Sequence, residues 1–324
     1  MKAVLCKAFG PPETLVIEDV AEPRAGAGEI VVEVAAAALN FFDTLIIRDK
    51  YQYKPELPFS PGAEFAGTVI ETGEGVDDLA PGDRVVAYCT YGAVRERVAV
   101  AAAAAVRLPD AVSFDKAAGL MITYGTTLHA LKDRGRLRPG ETLAVLGASG
   151  GVGIAAVEIG KLMGAEVIAC ASSQAKLDFC VSRGADRTID YSARPLRDAL
   201  KEATGGCGAD VVYDPVGGDF SEAALRATAW KGRFLVVGFA AGEIPRIPLN
   251  LALLKGCDIC GVFWGNFTQV EPQAHRENCA QLVAWCADGS LDVPIHGVYG
   301  LEETAKALAA FERREVAGKV IIRP

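Results

Sequence analysis

Up to about residue 108, the chain alternates short apolar runs with turns that contain Gly and Pro. Examples of these runs are EIVVEVAAAAL, AGTVIETG, GDRVVAYCTYGAVRERVAV and VRLPD. Short apolar runs separated by frequent turn residues are typical of β-strands in an all-β unit. The pattern therefore predicts a barrel-like β unit at the start of the chain.

The pattern changes at about residue 113, where helical segments begin to alternate with apolar strands. The predicted strands are TLAVLGA, EVIACA, RTIDY, ADVVYDPVG, GRFLVVGF and CDICGVFW. This alternation predicts a parallel sheet covered by helices on both faces, the doubly wound α/β architecture. We expect the tail, with two helices and two strands, to return to the first unit. The predicted domains are residues 1–122 with 266–324, and residues 123–265.

A glycine-rich stretch, AVLGASGGVG, lies between the first strand and the first helix of the predicted α/β unit. One glycine permits a tight turn, another lets backbone N–H groups approach a pyrophosphate, and a third lets helix and strand pack closely. The helix N-terminus then faces the phosphates. The stretch predicts a dinucleotide site formed by Gly147, Ser149, Gly150, Gly151, Val152 and Gly153.

The residues after the second predicted strand indicate which dinucleotide is bound. An NAD site expects Asp or Glu about 20 residues after the glycines, where it accepts from the ribose 2′-hydroxyl. Here Ser172 and Ser173 stand at that place, and Lys176 follows one turn later. Hydroxyls and an ammonium group favour a 2′-phosphate, whereas a carboxylate would repel it. The sequence predicts NADPH; the alternative is that Lys176 is only a solvated helix residue.

Composition excludes several other classes of protein. The net charge of −8 and the absence of a Lys/Arg cluster argue against a nucleic-acid surface. No segment is apolar enough to span a membrane, and the N-terminus shows no signal pattern. Nine scattered cysteines indicate reduced thiols and a cytoplasmic location. The CDIC motif is interpreted as part of a buried strand, because a zinc site would need a second cysteine pair.

Several segments together resemble a known family. They are NFFDTLIIRDKYQYKPELPFSPGAEFAGTV, PGDRVVAY, TYGTTLHAL, GASGGVG, GADVVYDPVGG and FLVVGFAAG. The chain resembles the zinc-independent medium-chain dehydrogenases/reductases of the NADPH:quinone oxidoreductase (zeta-crystallin-like) group along its whole length. The resemblance implies a GroES-like β-barrel catalytic domain and a Rossmann domain with a doubly wound parallel sheet. It also implies a homodimer paired through an edge strand at Cys257–Trp264.

The resemblance assigns roles to individual positions. Thr126 corresponds to a residue that touches the nicotinamide ribose, and Gly238 and Phe239 to a loop at the nicotinamide end. The residues implied to hold the 2′-phosphate are Ser172, Lys176 and Tyr191. Asn40 and Tyr51 correspond to residues that line the substrate cleft. One departure is Leu45, where several relatives carry an aromatic hydroxyl.

Comparison with zinc-bearing cousins predicts that no metal is bound. Asn40 stands where those cousins have their first cysteine, and Ala63 stands where they have a histidine. Cys89 is the one cysteine in the region of their four-cysteine lobe. Zinc needs three or four nitrogen, sulfur or oxygen ligands together. The histidines, at positions 129, 275 and 296, are widely spaced.

Without a metal, the expected substrates are already electrophilic, namely quinones and α,β-unsaturated carbonyl compounds. Tyr51 is the candidate hydrogen-bond donor to the developing oxyanion, with Asn40 polarising it. Alternatively, Tyr51 and Tyr53 pack the mouth of the cleft, Asp43 caps a helix beginning near Thr44, and Glu64 is a buried structural carboxylate. Two other functions stay open: reduction of enoyl or acrylyl thioesters, and an NADPH-binding crystallin or RNA-binding protein with little turnover.

Overall fold

Two units divide the chain in the computed structural model, which describes residues 1–324. Unit 1 comprises Met1–Ile122 and Cys279–Pro324, and unit 2 comprises Thr123–Asn278. The strands, numbered in chain order, are β1 (Lys2–Leu5), β2 (Val16–Asp19), β3 (Glu29–Leu39), β4 (Glu64–Thr72), β5 (Arg84–Tyr88), β6 (Arg97–Ala101), β7 (Ala105–Arg107), β8 (Thr142–Leu146), β9 (Glu166–Ala171), β10 (Arg187–Asp190), β11 (Ala209–Asp214), β12 (Thr228–Val236), β13 (Asp258–Gly261), β14 (Ile295–Gly300) and β15 (Lys319–Arg323).

The helices are likewise numbered in chain order. They are α1 (Phe41–Ile46), α2 (Phe114–Ala118), α3 (Thr123–Leu128), α4 (Gly151–Leu162), α5 (Gln174–Ser182), α6 (Leu196–Ala203), α7 (Asp219–Arg226), α8 (Asn250–Lys255), α9 (Trp264–Val270), α10 (Pro272–Ala287) and α11 (Thr304–Glu312). A π-helix covers His129–Arg134 directly after α3. None of these helices combines the length and the apolar character that crossing a membrane requires.

Unit 1 is built on a seven-stranded sheet in the order β14-β15-β3-β4-β5-β7, with β6 also paired to β3. All of its pairs except β14 with β15 are antiparallel. Alternate residues of β3, among them Ile30 and Val32, are fully buried in one apolar cluster. The predicted β unit is confirmed, and its last strand comes from the tail of the chain.

Unit 2 contains six parallel strands in the order β10-β9-β8-β11-β12-β13. The order reverses between β8 and β11, and in such sheets ligands bind outside the carboxyl ends of the strands at this point. The predicted doubly wound sheet is therefore confirmed. The glycine-rich stretch follows β8, directly at the reversal.

Two boundaries differ from the prediction. The edge strand β13 covers only Asp258–Gly261 of the predicted Cys257–Trp264, because Trp264 already begins α9. The predicted domain boundary at residue 265 lies at residue 278 in the structure. The reason is that Phe267 stacks on His129 with 3.9 Å between ring centroids. This contact joins positions far apart in the chain, which local patterning does not reveal.

Candidate functional site

The turn from β8 into α4 explains two of the four predicted glycines by its own geometry. Gly147 has a φ of +58°, in the left-handed region that favours glycine. A Cβ atom on Gly153 would lie 2.2 Å from the carbonyl oxygen of Gly147, so only glycine permits this approach of helix and strand. A Cβ atom on Gly150 would lie 3.4 Å from the same oxygen. The turn itself therefore requires Gly147 and Gly153 more strictly than Gly150.

The first turn of α4 provides backbone donors at this place. Gly150 is the N-cap residue with extended backbone, and the amides of Gly151, Val152 and Gly153 follow it. First-turn amides have no partner within their own helix, and they lie at the positive end of the helix dipole. Ser149 is buried immediately before them. This arrangement can bind a phosphate or pyrophosphate group.

Polar residues follow β9, which pairs with β8, and β10, the next strand outward in the sheet. Ser172 and Ser173 come directly after β9, and Ser173 is the N-cap residue of α5. Tyr191 follows β10, and its amide donates to the carbonyl oxygen of Ala171 at 3.1 Å. Lys176 lies in α5, and the segment from residue 172 to 176 contains no acidic residue. The predicted 2′-phosphate residues therefore share the carboxyl ends of two adjacent strands.

On the other side of the reversal, a buried carboxylate shapes the loop that follows β11. Asp214 Oδ1 accepts from the amides of Val216 at 2.8 Å and Gly217 at 2.9 Å. The amide of Gly238, after β12, donates to the backbone carbonyl of Asp214 at 3.3 Å. Phe239 is 39% exposed beside this loop. Sequence reasoning placed Gly238 and Phe239 at the nicotinamide end and missed the anchoring carboxylate of Asp214.

In α3, the predicted ligand contact is the one residue that reaches the surface of unit 2. Thr126 is half-buried, whereas the other residues of this helix are buried. The hydroxyl of the adjacent Thr127 is already 2.9 Å from the hydroxyl of Tyr213. Of these neighbouring hydroxyls, the one of Thr126 is thus more accessible to a bound molecule.

Unit 1 contains a buried polar cluster around the predicted residue Asn40. Lys319 Nζ donates to Asn40 Oδ1 at 2.6 Å and to Glu64 Oε1 at 2.7 Å. Asn40 Nδ2 donates to the same carboxylate oxygen at 3.0 Å. Glu64 Oε2 accepts from the amide of Ile122 at 2.8 Å. We call Asn40, Glu64 and Lys319 the buried triad.

Sheet register brings the triad together. Glu64 begins β4 and pairs with Ala38 in β3, one residue before the end of that strand. Lys319 begins β15, whose next residue Val320 pairs with Leu39. Asn40 follows Leu39 directly. Sequence reasoning found Asn40 and named Glu64, but it missed Lys319, because a lysine that opens an apolar strand is usually solvated.

A second carboxylate lies beside the triad. Asp43 Oδ2 accepts from the amide of Asn40 at 2.7 Å, and Oδ1 accepts from the amide of Gly62 at 2.9 Å. The sequence suggested that Asp43 caps a helix beginning near Thr44. Instead, α1 begins at Phe41 with Asn40 as its N-cap residue, and Asp43 accepts the N-cap amide from position N3. Burial raises the pKa of Asp43 to about 7, against the opposing effects of the backbone amides and Lys319.

Tyr51, the predicted donor, is held by aromatic neighbours. Its ring stacks on Phe42 at 5.0 Å between centroids and is tilted against Tyr53 at 5.8 Å. Burial and, secondly, Tyr88 raise the pKa of Tyr51, so that its phenol stays protonated at neutral pH. The geometry is compatible with both the donor and the packing interpretation. Leu45 is half-buried in α1.

Two family models match the two halves of this architecture. Residues 26–110 match the alcohol dehydrogenase GroES-like domain, and residues 151–285 match the domain described as zinc-binding dehydrogenase. A GroES-like unit together with a Rossmann-type sheet of six parallel strands defines the medium-chain dehydrogenase/reductase class.

Individual relatives specify the class further. The chain is 39% identical to quinone oxidoreductase-like protein 2 homolog of Nematostella vectensis, over 99% of this chain and 88% of that protein. It is 32% identical to a quinone oxidoreductase of Pseudomonas aeruginosa, over 100% and 99%. The structure of Escherichia coli quinone oxidoreductase complexed with NADPH matches with a TM-score of 0.92 at 29% identity and covers both chains completely. The chain belongs to the quinone oxidoreductase family.

The name of the second family model implies zinc, and the residues of unit 1 do not fit it. The ammonium group of Lys319 already binds Asn40 Oδ1 and Glu64 Oε1. No group of three or more His, Cys, Asp or Glu side chains in the structure could hold a metal ion. The ammonium group of Lys319 therefore binds the oxygen atoms that a metal ion at this place would need as ligands.

Proposed function

We propose that this protein is an NADPH-dependent reductase of quinones and α,β-unsaturated carbonyl compounds that uses no metal. The observation that carries the proposal is the nucleotide end of unit 2, where α4 begins after β8, Ser172, Lys176 and Tyr191 follow the next two strands of the sheet, and residues 172–176 contain no carboxylate. Hydroxyls and an ammonium group favour a 2′-phosphate over a free 2′-hydroxyl. The E. coli relative, solved with NADPH, supports this choice of cofactor.

In unit 2, each group has a separate binding task. The first-turn amides of α4 would hold the pyrophosphate, and Ser172, Ser173, Lys176 and Tyr191 would hold the 2′-phosphate. Thr126, Gly238 and Phe239 would lie at the nicotinamide end. When bound, NADPH supplies a hydride equivalent, and the chain supplies orientation and exclusion of water.

In unit 1, two side chains donate hydrogen bonds to the oxygen of the substrate that is reduced. Asn40 Nδ2 uses one hydrogen on Glu64, which leaves the other for a carbonyl or quinone oxygen. The neutral phenol of Tyr51 is the second donor. Hydrogen bonds to the oxygen stabilise the enolate or phenolate that develops during reduction, and water completes the protonation. Acceptors that are already electrophilic need no Lewis acid for this step.

A substrate panel tests the proposal. Purified protein is assayed with 9,10-phenanthrenequinone, 1,2-naphthoquinone, enals and enoyl thioesters, each with NADPH or NADH and with or without a chelator. We expect NADPH consumption with quinones or enones that the chelator does not change, and less than one zinc per ten chains. Reduction of enoyl thioesters alone would replace the proposed substrate class. Absence of turnover with every acceptor, or stoichiometric zinc, would overturn the proposal.

We further propose a homodimer that pairs through β13, the edge strand of the unit 2 sheet. An edge strand presents unpaired backbone groups that can bind a second strand. Large apolar side chains near it in sequence or in the sheet are exposed: Trp230 (68%), Leu253 (78%), Ile259 (39%) and Phe263 (52%). Exposed apolar side chains that form one patch are typical of a protein–protein interface.

Light scattering during size exclusion tests the dimer. The wild-type chain is expected at twice the mass of one chain, and Ile259→Lys is expected to shift it toward the monomer with an unchanged circular dichroism spectrum. A wild-type monomer at micromolar concentration would contradict the proposal. A cytoplasmic location stays a prediction; it fits nine cysteines that all lack a disulfide partner.

A further inference from the structure

We propose that Lys319 is a positioning residue of the acceptor site, which acts by fixing the side-chain amide of Asn40. The proposal rests on the proposed reductase function, because it concerns the donor to the substrate oxygen. Its basis is geometric: the side chains of Lys319 and Glu64 are only 2% and 0% exposed, and both contact Asn40.

The chemistry of the two partners fixes the orientation of the amide. An ammonium group only donates, so the Asn40 atom at 2.6 Å from Lys319 must be the carbonyl oxygen Oδ1. A carboxylate only accepts, so the atom at 3.0 Å from Glu64 must be the nitrogen Nδ2. A flipped amide would place a donor against the ammonium and an acceptor against the carboxylate. The ion pair therefore selects one of two orientations that have nearly the same shape.

This orientation decides what Asn40 can recognise. Oδ1 is occupied by Lys319, whereas Nδ2 has a second hydrogen beyond the one on Glu64. Asn40 therefore has one donor hydrogen left, which suits a carbonyl or quinone oxygen. A pre-oriented donor stabilises a developing oxyanion without reorganisation during the reaction.

The surroundings keep Lys319 in place. A Cβ atom on Gly119 would lie 2.8 Å from Lys319 Cγ, so the absence of a side chain at Gly119 makes room for the lysine stem. The second oxygen of Glu64 is held by the amide of Ile122 at 2.8 Å. A buried ion pair often stabilises a fold no better than apolar residues of the same volume. Fold stability alone therefore does not account for the ion pair.

The test compares the double variant Lys319→Met/Glu64→Gln, which removes both buried charges together, with the wild-type chain. The comparison is made twice, once with Asn40 present and once with Asn40→Ala in both proteins. The assay uses 9,10-phenanthrenequinone and NADPH. We expect kcat to fall about 10²-fold in the first background, the effect typical of one oxyanion donor. In the second background it changes less than about twofold, because Lys319 acts through Asn40. The dissociation constant for NADPH, measured by fluorescence quenching, stays unchanged.

A matched control lies in the same strand. Arg323 forms an ion pair with Asp115 near the surface, and Arg323→Met is expected to leave kcat unchanged. If the double variant does not fold, Lys319→Arg keeps the charge balance with a longer, planar head. It is expected to lower kcat about tenfold with Asn40 present, and to have no effect in the Asn40→Ala background.

The outcomes separate the two proposals. A wild-type chain that reduces quinones, together with variants whose kcat stays within twofold, would overturn the positioning role alone. An equal loss of kcat in both backgrounds would also overturn it, because Lys319 would then act independently of Asn40. A wild-type chain without turnover on any acceptor would overturn the proposed function and the positioning role together, and this result is known before any variant is made.

Discussion

The binding surfaces of the two units are built in opposite ways. In unit 2, the turn after β8 presents backbone groups of consecutive residues, and a side chain at Gly153 would clash with it. In unit 1, the buried triad consists of charged and polar side chains, and Lys319 lies 279 positions from Asn40 in the chain. The turn in unit 2 suits a pyrophosphate group, which every dinucleotide cofactor carries. The second places specific donors beside one small acceptor.

This difference predicts where each unit is vulnerable. Backbone sites fail when a side chain intrudes, because the atoms that bind cannot themselves be substituted. Side-chain sites fail when a charge loses its partner, because burial removes the compensation by water. Four experiments sharpen the contrast, from the largest expected effect to the smallest.

The single substitution Lys319→Met should have the largest effect on stability. It leaves the Glu64 carboxylate buried, and breaking a buried pair by removing one partner costs about 3–5 kcal/mol. The measurement is the free energy of unfolding in urea, followed by circular dichroism. The double variant Lys319→Met/Glu64→Gln should recover most of the loss. A single variant within about 1 kcal/mol of the wild-type chain would be at odds with a buried ion pair.

In unit 2, Gly153→Ala should cost about 1–3 kcal/mol, because its Cβ atom would lie 2.2 Å from the carbonyl oxygen of Gly147. We also expect NADPH binding to fall below detection in a fluorescence titration. The matched control is Gly150→Ala, whose Cβ atom has room at 3.4 Å. That control should keep its unfolding free energy and bind NADPH more weakly. Equal stability losses in the two variants would refute the assignment of separate roles.

The same contrast explains how much of the molecule the sequence revealed. The glycine turn and the strand–helix rhythm depend on local spacing, so the nucleotide unit and the positions of Gly147 and Gly153 were predictable. Asn40 was found through family resemblance. Lys319 was missed because its burial depends on the register of β15 with β3, which no local pattern encodes. The domain boundary at residue 278 was missed for a similar reason, the stacking of Phe267 on His129.

The pH dependence of stability should report on Asp43. Burial raises its pKa in the folded chain from 3.8 to about 7, and Lys319 and Glu64 are the charged groups beside it. Between these values the folded chain keeps a proton that the unfolded chain releases. The contribution of Asp43 is therefore fully present below about pH 4 and is lost as the pH rises to about 7.

Urea unfolding between pH 4.5 and 8 measures this effect. Titration of Asp43 lowers the free energy of unfolding by at most about 1.4 kcal/mol for each pH unit that the pH rises. This decrease ends above neutrality. The variant Asp43→Asn cannot titrate, so its slope over the same window should be smaller than that of the wild-type chain by this amount. Identical slopes in the two proteins would show that Asp43 keeps an ordinary pKa.

The smallest effect is expected at the rim of the nucleotide site. Lys176 is half-buried in α5 beside Ser172, and the pair of its ammonium with a 2′-phosphate would be partly solvated. Such pairs contribute up to about 1 kcal/mol, which corresponds to roughly a fivefold change in affinity. Lys176→Ala should therefore weaken NADPH binding about fivefold and leave NADH binding unchanged, both measured by titration. The control is Lys201→Ala, at the far end of α6, which should affect neither cofactor. An equal loss for both cofactors would mean that Lys176 does not distinguish the 2′-phosphate, and the preference for NADPH would then have to come from the serine hydroxyls and Tyr191.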